Sequence, residues 1–349
     1  MFKLKKLLHK YKIVMVSLVL VSSFTLVGCG SNQNSNNANA DKPTIVFGDA
    51  SWSSIQVHNR IAGFIVEHGY GYPEPEYVFG ESLPILQGTA NGDIDVYIEV
   101  WADNIKEAWE KQLAEGKVIN LGYNFPDSAQ GWYVPTYMIE GDEERGIEPV
   151  APDLKSVSDL VQYKDLFKDP EVPAKGRFYN SPPGWACTTI NEEKFDVYGL
   201  NEYFNIFSTG SQTALVTSMV SAYEKGEPWV GYYWEPTWVM GKLDMTLLEE
   251  PEYDEAVWNE NKGCAYPPSQ VLIGVNSELE EKAPEIVEFL EKYETTSAQT
   301  NAALAYMNDH DDDIEAAAIW FLEEYPDVWK NWVPEDVAAN VEQALNEVK

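Results

Sequence analysis

Residues 180–187, Asn-Ser-Pro-Pro-Gly-Trp-Ala-Cys, concentrate the chemistry of this chain. Pro182, Pro183 and Gly184 set a turn that cannot be helical before Gly184, and the residues after Trp185 read as the first turn of a helix. Such a start offers unpaired N–H donors and the positive end of the helix dipole, so a carboxylate could be held against Ala186 and Cys187 by backbone alone. The indole of Trp185 stands beside that anion site. A π face next to an anion hole suits a zwitterion, with a quaternary amine at one end and a carboxylate at the other. Trp101 and Trp234 fall just past the ends of predicted strands at 96–100 and 229–233, where open α/β sheets bind ligands. Three indoles matter because a quaternary ammonium has no N–H to donate, so aromatic faces must recognise it. At about 0.5 to 2 kcal/mol each, three faces supply at most about 6 kcal/mol, short of the roughly 8 kcal/mol of a micromolar site. The carboxylate half and the exclusion of water must supply the rest.

Other chemistries find little support. The sequence has no G-x-S-x-G, no P-loop, no H-E-x-x-H and no G-x-G-x-x-G after a strand. Cys187 has no histidine near it in sequence, and acidic pairs such as Glu192-Glu193 arise by chance in a chain with 57 acids. Asp309 to Asp313 place acids at alternate positions like a calcium loop, yet Ile314 stands where its glycine belongs and Trp320 where its glutamate belongs, so an acidic helix start is expected. His58, His68 and His310 lack metal-ligand spacing. No metal, no cofactor and no catalysis are expected. A formal charge of −33 argues against nucleic acid and anionic lipid as partners.

The scaffold that carries these residues can be read from the chain's patterning. Lys3, Lys5, Lys6, Lys10 and Lys12 precede an apolar run at 13–27 that is short for a membrane span, so residues 1–28 read as a secretory signal. Leu26-Val27-Gly28-Cys29 looks like a bacterial lipobox with Cys29 as the lipidated residue, and residues 29–42 form a Ser/Asn/Ala tether. Beyond it, strands at 44–48, 77–79 and 96–100 alternate with helices, which implies a mainly parallel α/β sheet covered on both faces. Ser53 is placed to cap the first helix, with Trp52 in the loop before it. The texture changes to Pro, Gly and charge over 139–176, a second set of strands and helices comes next, and after a strand at 271–275 the chain is helical. Two lobes result, one of residues 43–138 plus 272–349 and the other of 139–271, with a cleft between them. Cys187 and Cys264 remain in an exported chain, where a disulfide between them is open.

With these residues in place, the chain resembles the glycine betaine/proline betaine-binding proteins of osmoregulatory ABC importers over nearly all of its mature length. Pro183-Gly184-Trp185-Ala186-Cys187, Trp234-Glu235-Pro236-Thr237-Trp238, the segment 95–101 and Ala129-Gln130-Gly131-Trp132 carry the likeness. The resemblance implies a type II periplasmic-binding-protein fold and a cation box of Trp101, Trp185 and Trp234, with Trp234 rather than Trp238 taken from its motif. It also implies carboxylate donors at the Ala186 and Cys187 N–H groups, and partnership with an ABC permease and ATPase. Some members place a histidine four residues after the first box tryptophan; here that position is Ile105, with Asn104 beside it as a further contact, and Trp52 could reshape the box. The expected role is a lipid-anchored solute-binding protein on the outer face of the membrane. The rivals are a binding protein for choline, carnitine or another amine and, from a different class, a lipoprotein enzyme acting on an extracellular polymer.

Overall fold

The computed structural model describes residues 42–310 and 313–348. The signal segment, Cys29 and nearly all of the tether lie outside the described residues, as do Asp311 and Asp312 of the acidic run. Nine strands form one sheet: β1 (Val46–Asp49), β2 (Glu76–Phe79), β3 (Val96–Val100), β4 (Val118–Pro135), β5 (Gly176–Asn180), β6 (Phe204–Ser208), β7 (Gly231–Glu235), β8 (Met245–Leu247) and β9 (Ser269–Asn276). Their order is β2-β1-β3-β9-β4-β7-β5-β6, with β8 pairing beside β4.

Each half of the sheet has a three-stranded parallel core, β1 between β2 and β3 and β5 between β6 and β7. The two long strands between these cores are antiparallel to their neighbours: β9 pairs with β3 and β4, and β4 with β7 and β8. β4 changes partner along its length. Through Ser128 it follows β9, and from Ala129 it follows β7. Its first half carries Gly122, Asn124, Pro126 and Asp127, and its register slips three times there, as extra residues bulge out of the ladder.

β3 explains much of the site. Val96, Tyr97, Ile98, Glu99 and Val100 are all buried, as expected for a central strand covered on both faces, and one of them is an acid. Helix Ser53–Phe64 covers this half and packs against helices Ser297–Asp309 and Ile314–Glu324, which brings the helical C-terminal part of the chain back onto the first half of the sheet. Thr296 and Asp313 cap those two helices with their side chains, the role that a helix start gave Asp313. Ser53 does not cap its helix. Trp52 is the residue at the cap position, and the Ser53 N–H and hydroxyl both turn to Gln212 Oε1, at 2.8 and 3.1 Å.

Candidate functional site

The loop after β5 and the helix Ala186–Val197 form as the sequence suggested. Gly184 has φ +98°, a conformation that glycine adopts freely, and Trp185 is extended at the cap position with no capping side chain. Of the first turn of this helix, Ala186 and Cys187 line the space beside Trp185; the Ala186 N–H reaches Ser82 Oγ at 3.4 Å, and the Thr188 N–H bonds the Trp185 carbonyl oxygen at 3.1 Å. Trp101 is the first residue after β3. Trp234 differs from expectation: it is the penultimate residue of β7, not past its end. The ladder with β4 runs from Gly231 to Glu235, two residues later than the apolar run suggests, and stops at Pro236, which has no N–H to continue it.

Trp52, Trp101, Trp185 and Trp234 line one small cavity of about 30 Å³, together with Tyr232, Ser82, Asn104, Ala186 and Cys187. The ring of Trp185 is central. It meets Trp52 edge-on at 5.6 Å and Trp234 edge-on at 4.9 Å, and its Nε1 donates to Ser51 Oγ at 2.8 Å. Tyr232 stacks on Trp234 at 6.2 Å and donates from its hydroxyl to Gln130 Oε1 at 2.8 Å. Asn104 exchanges two hydrogen bonds of 3.2 Å with Gln130, so its amide is fixed in orientation.

Of the expected site residues, all seven outside the tether, Trp52 among them, line this cavity. Trp238 does not; it stands half-buried beside Lys242, in a separate groove with Gln212 and Met307. Ser82, Tyr232 and Glu99 were missed by the sequence reading. Residues two apart on a strand share a face, so Tyr232 was findable from Trp234, and Glu99 from Trp101. Ser82 left no signal, since only the fold brings the start of its helix against Ala186.

Electrostatics divide the lining from the groups behind it. Burial pushes the Cys187 thiol up to about 11, so it is protonated at neutral pH and a poor nucleophile. Cys187 and Cys264 are both free and buried. Glu99, behind the cavity wall, is fully buried. Burial raises its carboxyl to about 7 against the opposing pull of hydrogen bonds from Trp101, Ser54 and Trp52. Among the described residues no group of His, Cys, Asp and Glu is arranged to hold a metal ion, and no helix is long and apolar enough to cross a membrane.

A single sheet with two parallel cores, joined by two antiparallel strands and with a small aromatic-lined cavity, is the type II periplasmic-binding-protein fold. The chain belongs to the family described as the substrate binding domain of the ABC-type glycine betaine transport system, whose model matches residues 43–324. It is 23% identical over 171 residues to the glycine betaine-binding periplasmic protein OusX of Dickeya dadantii. That match covers 46% of this chain and 47% of the relative, so the chain spans about half the length of the curated relative it matches. Among solved structures it superimposes on the glycine/betaine/L-proline-binding protein ProX of Borrelia burgdorferi with a TM-score of 0.69 at 19% identity, covering 86% of this chain and all (100%) of that one. It superimposes equally on an ABC-transporter choline binding protein in complex with choline, with a TM-score of 0.68 at 19% identity over 86% of this chain and 98% of the other.

Proposed function

We propose that this protein captures glycine betaine, or a closely related quaternary-ammonium osmoprotectant, and delivers it to an ABC permease. The observation that carries the reading is the convergence of four indoles and a tyrosine on one cavity whose far wall is a helix start. The indoles would take the trimethylammonium group through their π faces. The N–H groups of Ala186 and Cys187 would take the carboxylate, with Ser82 and Asn104 in reach of the same end. Residues 43–138 plus 272–349 and residues 139–271 would act as lobes that close on the ligand, since the first range supplies Trp52 and Trp101 to the cavity and the second Trp185 and Trp234. No catalytic group is needed for this role, and a protonated Cys187 suits a wall better than a reaction.

Choline is the second reading, and one observation favours it. Among the described residues no Lys, Arg or His lines the cavity, and Ile105 occupies the position where some relatives have a carboxylate-contacting histidine. A ligand without a carboxylate would lose little here. Heat stabilisation of the protein by a panel of betaines, choline, carnitine, amino acids and sugars separates the readings. Quaternary ammonium compounds should raise the melting temperature and sugars should not; stabilisation by sugars or unmethylated amino acids alone would overturn the proposal.

The lipobox supports an anchor on the outer face of the cell membrane. Cys29→Ser should move the protein from the membrane fraction to the soluble exported fraction. If it stays with the membrane and keeps its leader uncleaved, the leader is the anchor.

A further inference from the structure

Behind the aromatic wall lies a carboxylate that the ligand reading does not use. Glu99 Oε1 accepts three hydrogen bonds, from Trp52 Nε1 at 2.8 Å, from Trp101 Nε1 at 2.9 Å and from Ser54 Oγ at 2.9 Å. The two indoles belong to different segments, one at the start of helix Ser53–Phe64 and one at the end of β3. A single oxygen therefore sets the orientation of both, turning each pyrrole edge toward Glu99. The second oxygen, Oε2, is buried and has no hydrogen-bond partner. A buried polar atom left in this way is costly, and its position next to a cation-binding wall points to a role for the charge itself.

We propose that Glu99 is the positioning residue of the cage and its counter-charge: it clamps Trp52 and Trp101 through Oε1, and capture of a quaternary ammonium is coupled to loss of a proton from its carboxyl group. The inference rests on the proposed ligand class. Its physical basis is that an indole donating to an anion becomes more electron-rich, and that a buried negative charge behind the rings attracts the ligand cation with little screening. Protonation does not dismantle the clamp. The proton can sit on Oε2, which has nothing to lose, while Oε1 as a carbonyl oxygen goes on accepting from the same three donors.

The surroundings leave Glu99 without a cation of its own. On β3 stands Tyr97, and just before it Asp95, held by Lys282 at 2.7 Å; on the neighbouring β1 is Asp49, held by Arg60 at 2.7 Å. The helix Ser53–Phe64 brings His58, which burial pushes down to about 3 and which meets the Tyr293 hydroxyl at 2.7 Å, so it is neutral. Burial raises Tyr97 and Tyr293 above their usual range, with Glu99 adding to the rise in each. Glu81 precedes helix Ser82–Asn91 and Asp103 comes two residues after Trp101; both are acids that burial pushes up. β9 carries no titratable side chain. The carboxyl of Glu99 responds to burial, upward, and to its three hydrogen bonds, downward. A bound cation would be its first positive neighbour, and by reciprocity of linked binding it would lower the carboxyl's pKa as proton release strengthens its own binding.

The test is a calorimetric titration with glycine betaine from about pH 5.5 to about pH 8.5, a range in which that ligand does not change its own charge. In the wild type Kd should rise roughly tenfold from about pH 8 to about pH 6. In Glu99→Gln, which keeps an accepting oxygen, binding at high pH should be weaker and the slope should vanish. A flat wild-type profile, or a Glu99→Gln profile parallel to the wild type, overturns the proposal. Tryptophan fluorescence of the ligand-free protein gives an arm that needs no ligand: a step centred near pH 7, present in the wild type and lost in Glu99→Gln, upholds a titrating charge behind the indoles, and its absence overturns it. If no quaternary ammonium binds the wild type at any pH, the ligand reading has failed, and the fluorescence step decides the role of Glu99 alone.

Discussion

Replacing Trp185 with alanine is expected to weaken glycine betaine binding by about 1 to 3 kcal/mol, or roughly 5- to 150-fold in Kd. The magnitude follows from position. Trp185 is the one indole in ring contact with two others, Trp52 at 5.6 Å and Trp234 at 4.9 Å, and its Nε1 ties the wall to Ser51. Alanine removes a π face, the edge-on support of both neighbours and the Ser51 hydrogen bond together. Trp185→Phe keeps a face and loses the hydrogen bond, so it should cost less. Calorimetric titration measures both. Equal affinity in wild type and Trp185→Ala would remove Trp185 from the site.

A larger loss, in stability this time, is expected from Lys194→Ala. Lys194 lies on the helix that begins at Ala186, and it is fully buried. Its Nζ donates to Glu250 and to the Cys264 carbonyl oxygen. The rings of Tyr266, Trp258 and Tyr198 surround it at 4.8, 5.6 and 5.7 Å. Burial pushes Lys194 down and Glu250 up, and each partner opposes that shift in the other. Removing the lysine strands a buried carboxylate whose Oε1 already has no hydrogen-bond partner. A broken buried pair of this kind costs about 3 to 5 kcal/mol, which denaturant unfolding would register as a clear drop in midpoint. Adding Glu250→Gln should recover much of it. A loss below about 1 kcal/mol would mean that the pair behaves as an exposed one. The functional consequence is indirect, because the pair fastens the helix whose first turn lines the cavity.

The legible part of this molecule was whatever local rules decide. The Pro-Pro-Gly turn and the helix start after Trp185 could be read because few conformations satisfy those residues. β3 was read at its full extent because five consecutive residues of a central strand are buried. The features that stayed hidden depended on partners distant in sequence. The first half of β4 looks like a loop, with Gly122, Asn124, Pro126 and Asp127 in it, and it is a strand because β9 lies alongside and tolerates three slips of register. The end of β7 is set by β4, which moved Trp234 into the ladder. Ser53 had a good capping residue's chemistry, yet Gln212 competes for it from the other half of the chain. Glu99 was the most informative omission. An acid inside an apolar strand, two residues before a tryptophan that lines the cavity, was visible as an anomaly, but only the fold shows that it also reaches Trp52.

If aromatic faces recognise the ligand, they must read the degree of methylation of its nitrogen. Calorimetric titration of the wild-type protein with glycine and its mono-, di- and trimethylated forms isolates this property, since the carboxylate end is constant and only the cation changes. Affinity should rise along the series and be greatest for glycine betaine, because each methyl group replaces an N–H that the cage cannot satisfy with a surface that it can. Glycine binding as tightly as glycine betaine would rule out recognition by the cage.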